Sequence, residues 1–150
     1  MTTFNSDQYQ QLIPHPTPIP GGYRLGAGTK VQPHDLGGRV RVMHAHWPGR
    51  AGLSNYDRVN LFVLPKGARI LHFHMVHGAF GDSVQLDIGT MANPQKYYID
   101  YVAVDAESYT VQLFNNEPLE EDTLIILRFG DLGNPHDAAT FDINCAYVVD

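Results

Sequence analysis

Residues 71–78 read LHFHMVHG, so His72, His74 and His77 stand in an otherwise apolar stretch. Neutral imidazole is a common metal ligand, and a His-x-His pair on a strand points both rings to one side. RVRVMHAHW (39–47) repeats the spacing with His44 and His46. If the two segments were neighbouring strands, their four imidazoles could converge on one ion, with ring nitrogens about 2.0–2.1 Å from zinc.

The residues around these pairs argue for a plainer role. Cupin-type metal sites follow His-x-His with a glutamate a few residues on and add a distant histidine. Here MVHGAFGDSVQ follows His74 without a glutamate, and Glu107, Glu117, Glu120 and Glu121 lie far off in loop-like stretches. His136, in GNPHDAA, sits among turn formers. We therefore expect no metal and no cofactor. His72, His74, His44 and His46 are read as lining a partly covered strand face, suited to a subunit contact.

Other chemistry is no better supplied. The sequence has no Gly-x-Ser-x-Gly elbow, no phosphate-binding Gly-x-x-x-x-Gly-Lys loop and no His-Glu-x-x-His zinc helix. DLGNPHD (131–137) and LEED (119–122) read as turn and solvated loop. The single cysteine, Cys145, excludes an intrachain disulfide and reads as a small buried hydrophobe. Trp47, Tyr97, Tyr98 and Tyr101 are the aromatics that a carbohydrate-binding sandwich would use as stacking platforms, although strand aromatics more often fill cores. No enzyme is expected.

The elements that must carry these residues are short strands. Runs at 39–47, 57–64, 68–76, 83–89, 96–104, 108–114, 123–130 and 140–149 are rich in Val, Ile, Phe and Tyr and are punctuated by Gly, Pro, Asn and Asp. No stretch shows the apolar spacing of an amphipathic helix. The predicted fold is all-β, an antiparallel β-sandwich or jelly roll. In 68–76, period two puts Leu71, Phe73 and Met75 in the core and Ile70, His72, His74 and Val76 outside. TLIILRFG is apolar on both faces, as a central strand would be. TFDINCAYVV alternates, with Phe141, Ile143, Cys145 and Tyr147 on one face.

The first 38 residues differ. Five of the ten prolines and six of the fourteen glycines fall between 12 and 38, which denies this stretch helix and central strand. It reads as an extended arm (1–38) before a sandwich domain (39–150). Phe4, Tyr9, Leu12, Ile13, Ile19, Tyr23 and Arg24 are its candidate partner-binding residues, ordered by contacts outside the domain. Charge is divided too. Residues 1–75 carry eight basic and three acidic side chains, net +5; residues 76–150 carry two and thirteen, net −11. No dense basic cluster suggests nucleic acid. No apolar run reaches the roughly 18–20 residues that span a bilayer, and MTTFNSDQYQQ lacks the features of a signal peptide, so synthesis in a cytoplasm is expected.

LPKGARIL (64–71), the glycine-bounded loop leading to VQLDIGT, then IGTMANPQKYY, PLEEDTLIILRFG and FDINCAYVVD follow one another in an order that resembles tailed-bacteriophage virion structural proteins. The SDQY element and the GGRVRV strand resemble that group as well. The proline-rich arm and the histidine-rich strands depart from it. The resemblance implies a capsid decoration, or cement, protein: a β-rich homo-oligomer, often a trimer, that binds the outside of a shell of major capsid protein. It would be made in the host cytoplasm and reside on the virion surface. A tail, neck or fibre-associated component is the alternative within the same group.

Overall fold

A computed structural model describes residues 2–5, 17–19, 22–24, 40–103, 105–113, 117–135 and 139–149. Among them every regular element is a strand: β1 (Thr3–Asn5), β2 (Thr17–Ile19), β3 (Gly22–Arg24), β4 (Arg41–Trp47), β5 (Arg58–Leu64), β6 (Ala68–His77), β7 (Gly81–Asp82), β8 (Gln85–Thr90), β9 (Tyr98–Val102), β10 (Glu107–Gln112), β11 (Thr123–Phe129), β12 (Asn134–Pro135) and β13 (Phe141–Val149). The turn after β5 shows why the sequence breaks there. Pro65 presets the corner, Gly67 takes φ 82°, and Ala68 N–H closes it on the Pro65 carbonyl at 3.0 Å.

The strands build two sheets, in the orders β1-β5-β11-β8-β9 and β10-β6-β13-β4, with β2–β3 and β7–β12 as separate two-stranded pairs. All neighbours are antiparallel except β1, which runs parallel to β5 at the edge of its sheet. The two large sheets enclose the core, so the predicted antiparallel β-sandwich is the observed architecture. β4 buries Met43, Ala45 and Trp47 from one sheet, and β11 buries Ile125, Leu127 and Phe129 from the other. Trp47, Phe80 and Phe129 meet with ring centroids 5.6–6.4 Å apart. Each such ring fully buried contributes roughly 1.5–3 kcal/mol.

β11 is a central strand, as its double apolar character predicts. Ile126 lies on the face opposite the core, paired with Asn60 and Gly89, and is 0% exposed. On this face the turn after β8 lies against Gly89, where an added Cβ would stand 2.3 Å from the Asn93 carbonyl oxygen. The period-two reading of β6 needs one correction. Its register against β13 slips between Ala146 and Tyr147: His72 faces Ala146 and Ile70 faces Tyr147, which leaves Leu71 as an extra residue. This β-bulge reverses the alternation. Phe73 and Met75 do face the core, but so does Ile70 at 1% exposure, whereas Leu71 is only partly buried.

Candidate interaction face

The outer face of the four-stranded sheet gathers all four candidate histidines. On β4, Val42, His44 and His46 alternate with the buried residues and point away from the core. On β6, His72 and His74 lie beyond the bulge on the same side, with Val76. Between them runs β13, which contributes Ala146, Asn144 and Asp142. Registry aligns three rows across the sheet: Gln112, His72, Ala146 and Val42; Thr110, His74, Asn144 and His44; Ser108, Val76, Asp142 and His46.

This registry also explains why the two His-x-His pairs do not meet. β4 and β6 are not neighbours; β13 separates them, and each interstrand step is about 4.7–4.9 Å. Three of the rings pair through Nδ1 within their rows, and two reach through Nε2 into the next row. His44 Nδ1 lies 2.9 Å from Asn144 Oδ1, and His46 Nδ1 lies 2.8 Å from Asp142 Oδ1. His44 Nε2 approaches the same Asp142 oxygen at 3.8 Å. His74 Nδ1 lies 2.7 Å from Thr110 Oγ1, and its Nε2 lies 3.3 Å from Ser108 Oγ. Among the described residues no group of three or more His, Cys, Asp or Glu side chains is placed to hold a metal ion. His136 lies outside the described residues.

What the face offers instead is a mixed surface. Val42 is 64% and Val76 45% exposed, set among imidazoles, one carboxylate and small hydroxyls. Apolar positions ringed by adaptable hydrogen-bonding groups suit a protein contact.

The remaining candidates fall elsewhere. Trp47, Tyr97 and Tyr101 are buried, so they are core aromatics and not sugar platforms. Tyr98 is half-buried in a cluster with Tyr101 and Tyr109, at centroid distances of 5.3–5.7 Å. Burial pushes the Cys145 thiol well above its ordinary range, which leaves it an inert hydrophobe. The LEED carboxylate Asp122 accepts the Lys66 amide at 2.8 Å, and Asp131 accepts the Gly133 amide at 3.2 Å. Both serve turns.

Of the arm residues, Phe4 is placed inside the domain. β1 pairs with β5, Thr3 facing Arg58 and Phe4 facing Val59. Thr2 N–H donates to Asp57 Oδ1 at 2.6 Å, and Phe4 packs on Trp47 at 5.9 Å under the Arg50 guanidinium. Ile19 closes β2; Tyr23 and Arg24 lie in β3. Tyr9, Leu12 and Ile13 lie outside the described residues.

Asp57 and His77, both buried, carry connections that local sequence did not signal. Asp57 holds the arm's first residues. Its other oxygen accepts the Ser54 amide at 2.9 Å, so the carboxylate stands at a preformed turn.

Among solved structures, the chain is similar in fold to three capsid chains. A chain of the capsid of Ralstonia phage GP4 matches with TM-score 0.73 over 99% of both chains at 15% identity. A chain of the cyanophage Pam1 capsid asymmetric unit matches with TM-score 0.68, covering 88% of this chain and 100% of that one, also at 15% identity. A chain of the acidic stable capsid structure of Helicobacter pylori bacteriophage KHP30 matches with TM-score 0.55 at 16% identity, over 73% of this chain and 87% of that one. No family model and no curated protein matches the sequence.

Proposed function

We propose that this chain is a non-enzymatic phage virion protein that binds and stabilises an assembled capsid from outside, in the manner of a decoration or cement protein. The observation that carries this reading is the end-to-end likeness of its sandwich to a chain of a phage capsid. The exposed histidine–valine face of the four-stranded sheet supports it. That face is two-dimensional and mixed in polarity, as a contact between subunits requires.

In this reading the major capsid protein is the principal partner and further copies of the chain are the second, in a homo-oligomer for which a trimer is favoured. The arm beyond β1, with Tyr9, Leu12 and Ile13, clamps neighbouring subunits. A repeated weak contact becomes strong on a symmetric shell because avidity multiplies it.

The test is reconstitution. Capsids stripped of the protein are incubated with the native chain, with Val42→Asp/Val76→Asp and with Leu12→Asp/Ile13→Asp, then examined by sedimentation and cryo-electron microscopy. Density on the outer shell, with at least tenfold weaker binding by both variants at unchanged melting temperature, is the expected outcome. Density confined to the tail, neck or fibres overturns the capsid assignment. Undiminished binding by the arm variant overturns the clamp.

A further inference from the structure

Three strands meet where the two sheets come together at one side of the sandwich: β6 through His77, β9 through Tyr101 and β10 through Glu107. His77 is 3% and Tyr101 8% exposed. His77 Nδ1 lies 2.7 Å from the Gly78 carbonyl oxygen, and its Nε2 lies 2.8 Å from the Tyr101 hydroxyl. The hydroxyl in turn lies 2.8 Å from Glu107 Oε2. All three contacts have the length of good hydrogen bonds.

Counting hydrogens along this chain gives a constraint. A carbonyl oxygen only accepts, so Nδ1 must carry a hydrogen. The phenol has one hydrogen and faces an acceptor-capable group on each side. If it donates to Glu107, the contact with His77 needs a second hydrogen on Nε2, and the imidazole is doubly protonated. If it donates to Nε2, the Glu107 carboxyl must carry the hydrogen in the other contact. Either way the closed chain holds one proton more than a neutral imidazole plus a carboxylate. With only those two, phenol oxygen and carboxylate oxygen, or phenol oxygen and Nε2, would face each other with nothing between them.

We propose that His77, Tyr101 and Glu107 form a single proton-binding site that ties β6, β9 and β10 together by holding one proton more than a neutral imidazole and a carboxylate would. The site does not depend on what the chain binds. The imidazole and the Tyr101 phenol have phenolic and apolar surroundings, and Glu107 stands exposed at the outer end. β9 adds Tyr98 and β10 adds Tyr109; β13 places Phe141 opposite His77, and Phe80 lies 5.9 Å from the imidazole. Glu107 is the charged group among these. Burial foremost, then Glu107, holds the Tyr101 phenol protonated far above its ordinary range, so the bridge keeps its hydrogen throughout.

The sign follows from linkage. The folded chain with this site filled binds a proton that the unfolded chain lacks, so folding gains as pH falls while the unfolded chain's imidazole is still neutral. The gain fades once the unfolded histidine is protonated as well. At its limit one extra proton is worth about tenfold in the folding constant per pH unit.

The experiment is urea unfolding of the full chain and of Tyr101→Phe at pH 8 and pH 6. The variant keeps the ring and removes the bridge, and the other histidines titrate in both proteins, so their effect cancels. The native chain should gain about ten- to a hundredfold more in its folding constant than the variant; equal gains overturn the proposal. A second measurement needs no variant: nitrogen and carboxyl NMR shifts of His77 and Glu107 in the native chain at pH 6. A doubly protonated His77, or a protonated Glu107, is expected. A neutral imidazole beside an ionised carboxylate overturns the site even if Tyr101→Phe fails to fold.

Discussion

Asp87 and Asp57 are buried carboxylates, and the fold compensates each in its own way. Asp87 is 0% exposed on the outer side of the five-stranded sheet, where Arg128 reaches its Oδ2 through Nε at 3.0 Å and Nη2 at 2.6 Å. Gln95 adds a contact at 3.4 Å. Arg128→Ala would remove the guanidinium that balances this buried charge, a loss of about 3–5 kcal/mol that urea unfolding at neutral pH should register. Cutting an exposed pair such as His44–Asp142 should cost well under 1 kcal/mol, because water screens it. Neither buried acid can be recognised from its own neighbourhood in the sequence. Asp87 sits in VQLDIGT, an ordinary strand, and the arginine that neutralises it is 41 residues away. The histidines are legible locally, because period two alone decides which way His44 and His46 point, and both do lie on the outer face of β4.

Strands and their turns were read almost entirely from local composition, since β-branched runs bounded by Gly, Pro and Asn report directly on backbone preference. Pairing was not. That β13 would insert between β4 and β6, and so keep the histidine pairs apart, depends on long-range registry that a single sequence does not display. The bulge at Leu71 is a clearer case, because nothing in ARILHFHMV marks the extra residue. It yields a discriminating test. Ile70→Ala should cost about 2–5 kcal/mol, as a core truncation does, whereas the same change at Leu71 should cost markedly less. Thermal and urea unfolding of both variants would check this, and equal effects would mean that β6 keeps unbroken alternation. β1 is a further case of the same kind: the arm expected over 1–38 begins inside the sheet, with Thr2 on Asp57 and Phe4 on Trp47.

For the molecule as a whole, tyrosines help close the sandwich. Tyr97 is packed against Phe73 at 5.6 Å, and burial pushes its phenol up to about 12. Tyr98 is also raised to about 12, by burial and then by its hydrogen bond with Tyr109. A folded state that holds phenols protonated above their ordinary value near 10 is favoured fully below that pH. It loses this contribution as pH climbs from about 10 towards 12, where the unfolded chain ionises and the folded one resists. Melting temperature should therefore fall steeply over that range, and absorbance at 295 nm should show part of the tyrosines ionising only on unfolding. A smooth titration complete before the structure melts would contradict this.

The place of β13 in its sheet also bears on how the chain is made. β13 pairs with β6 along nearly its whole length and with β4 on its other side, yet it is the last of these strands in chain order. While a ribosome has released only the residues up to β11, β4 and β6 have no strand between them. The face carrying His44, His46, His72 and His74 does not yet exist, since its middle column is Asp142, Asn144 and Ala146. A nascent or truncated chain that lacks β13 thus cannot present this face. Such late, non-local closure is slow by topology.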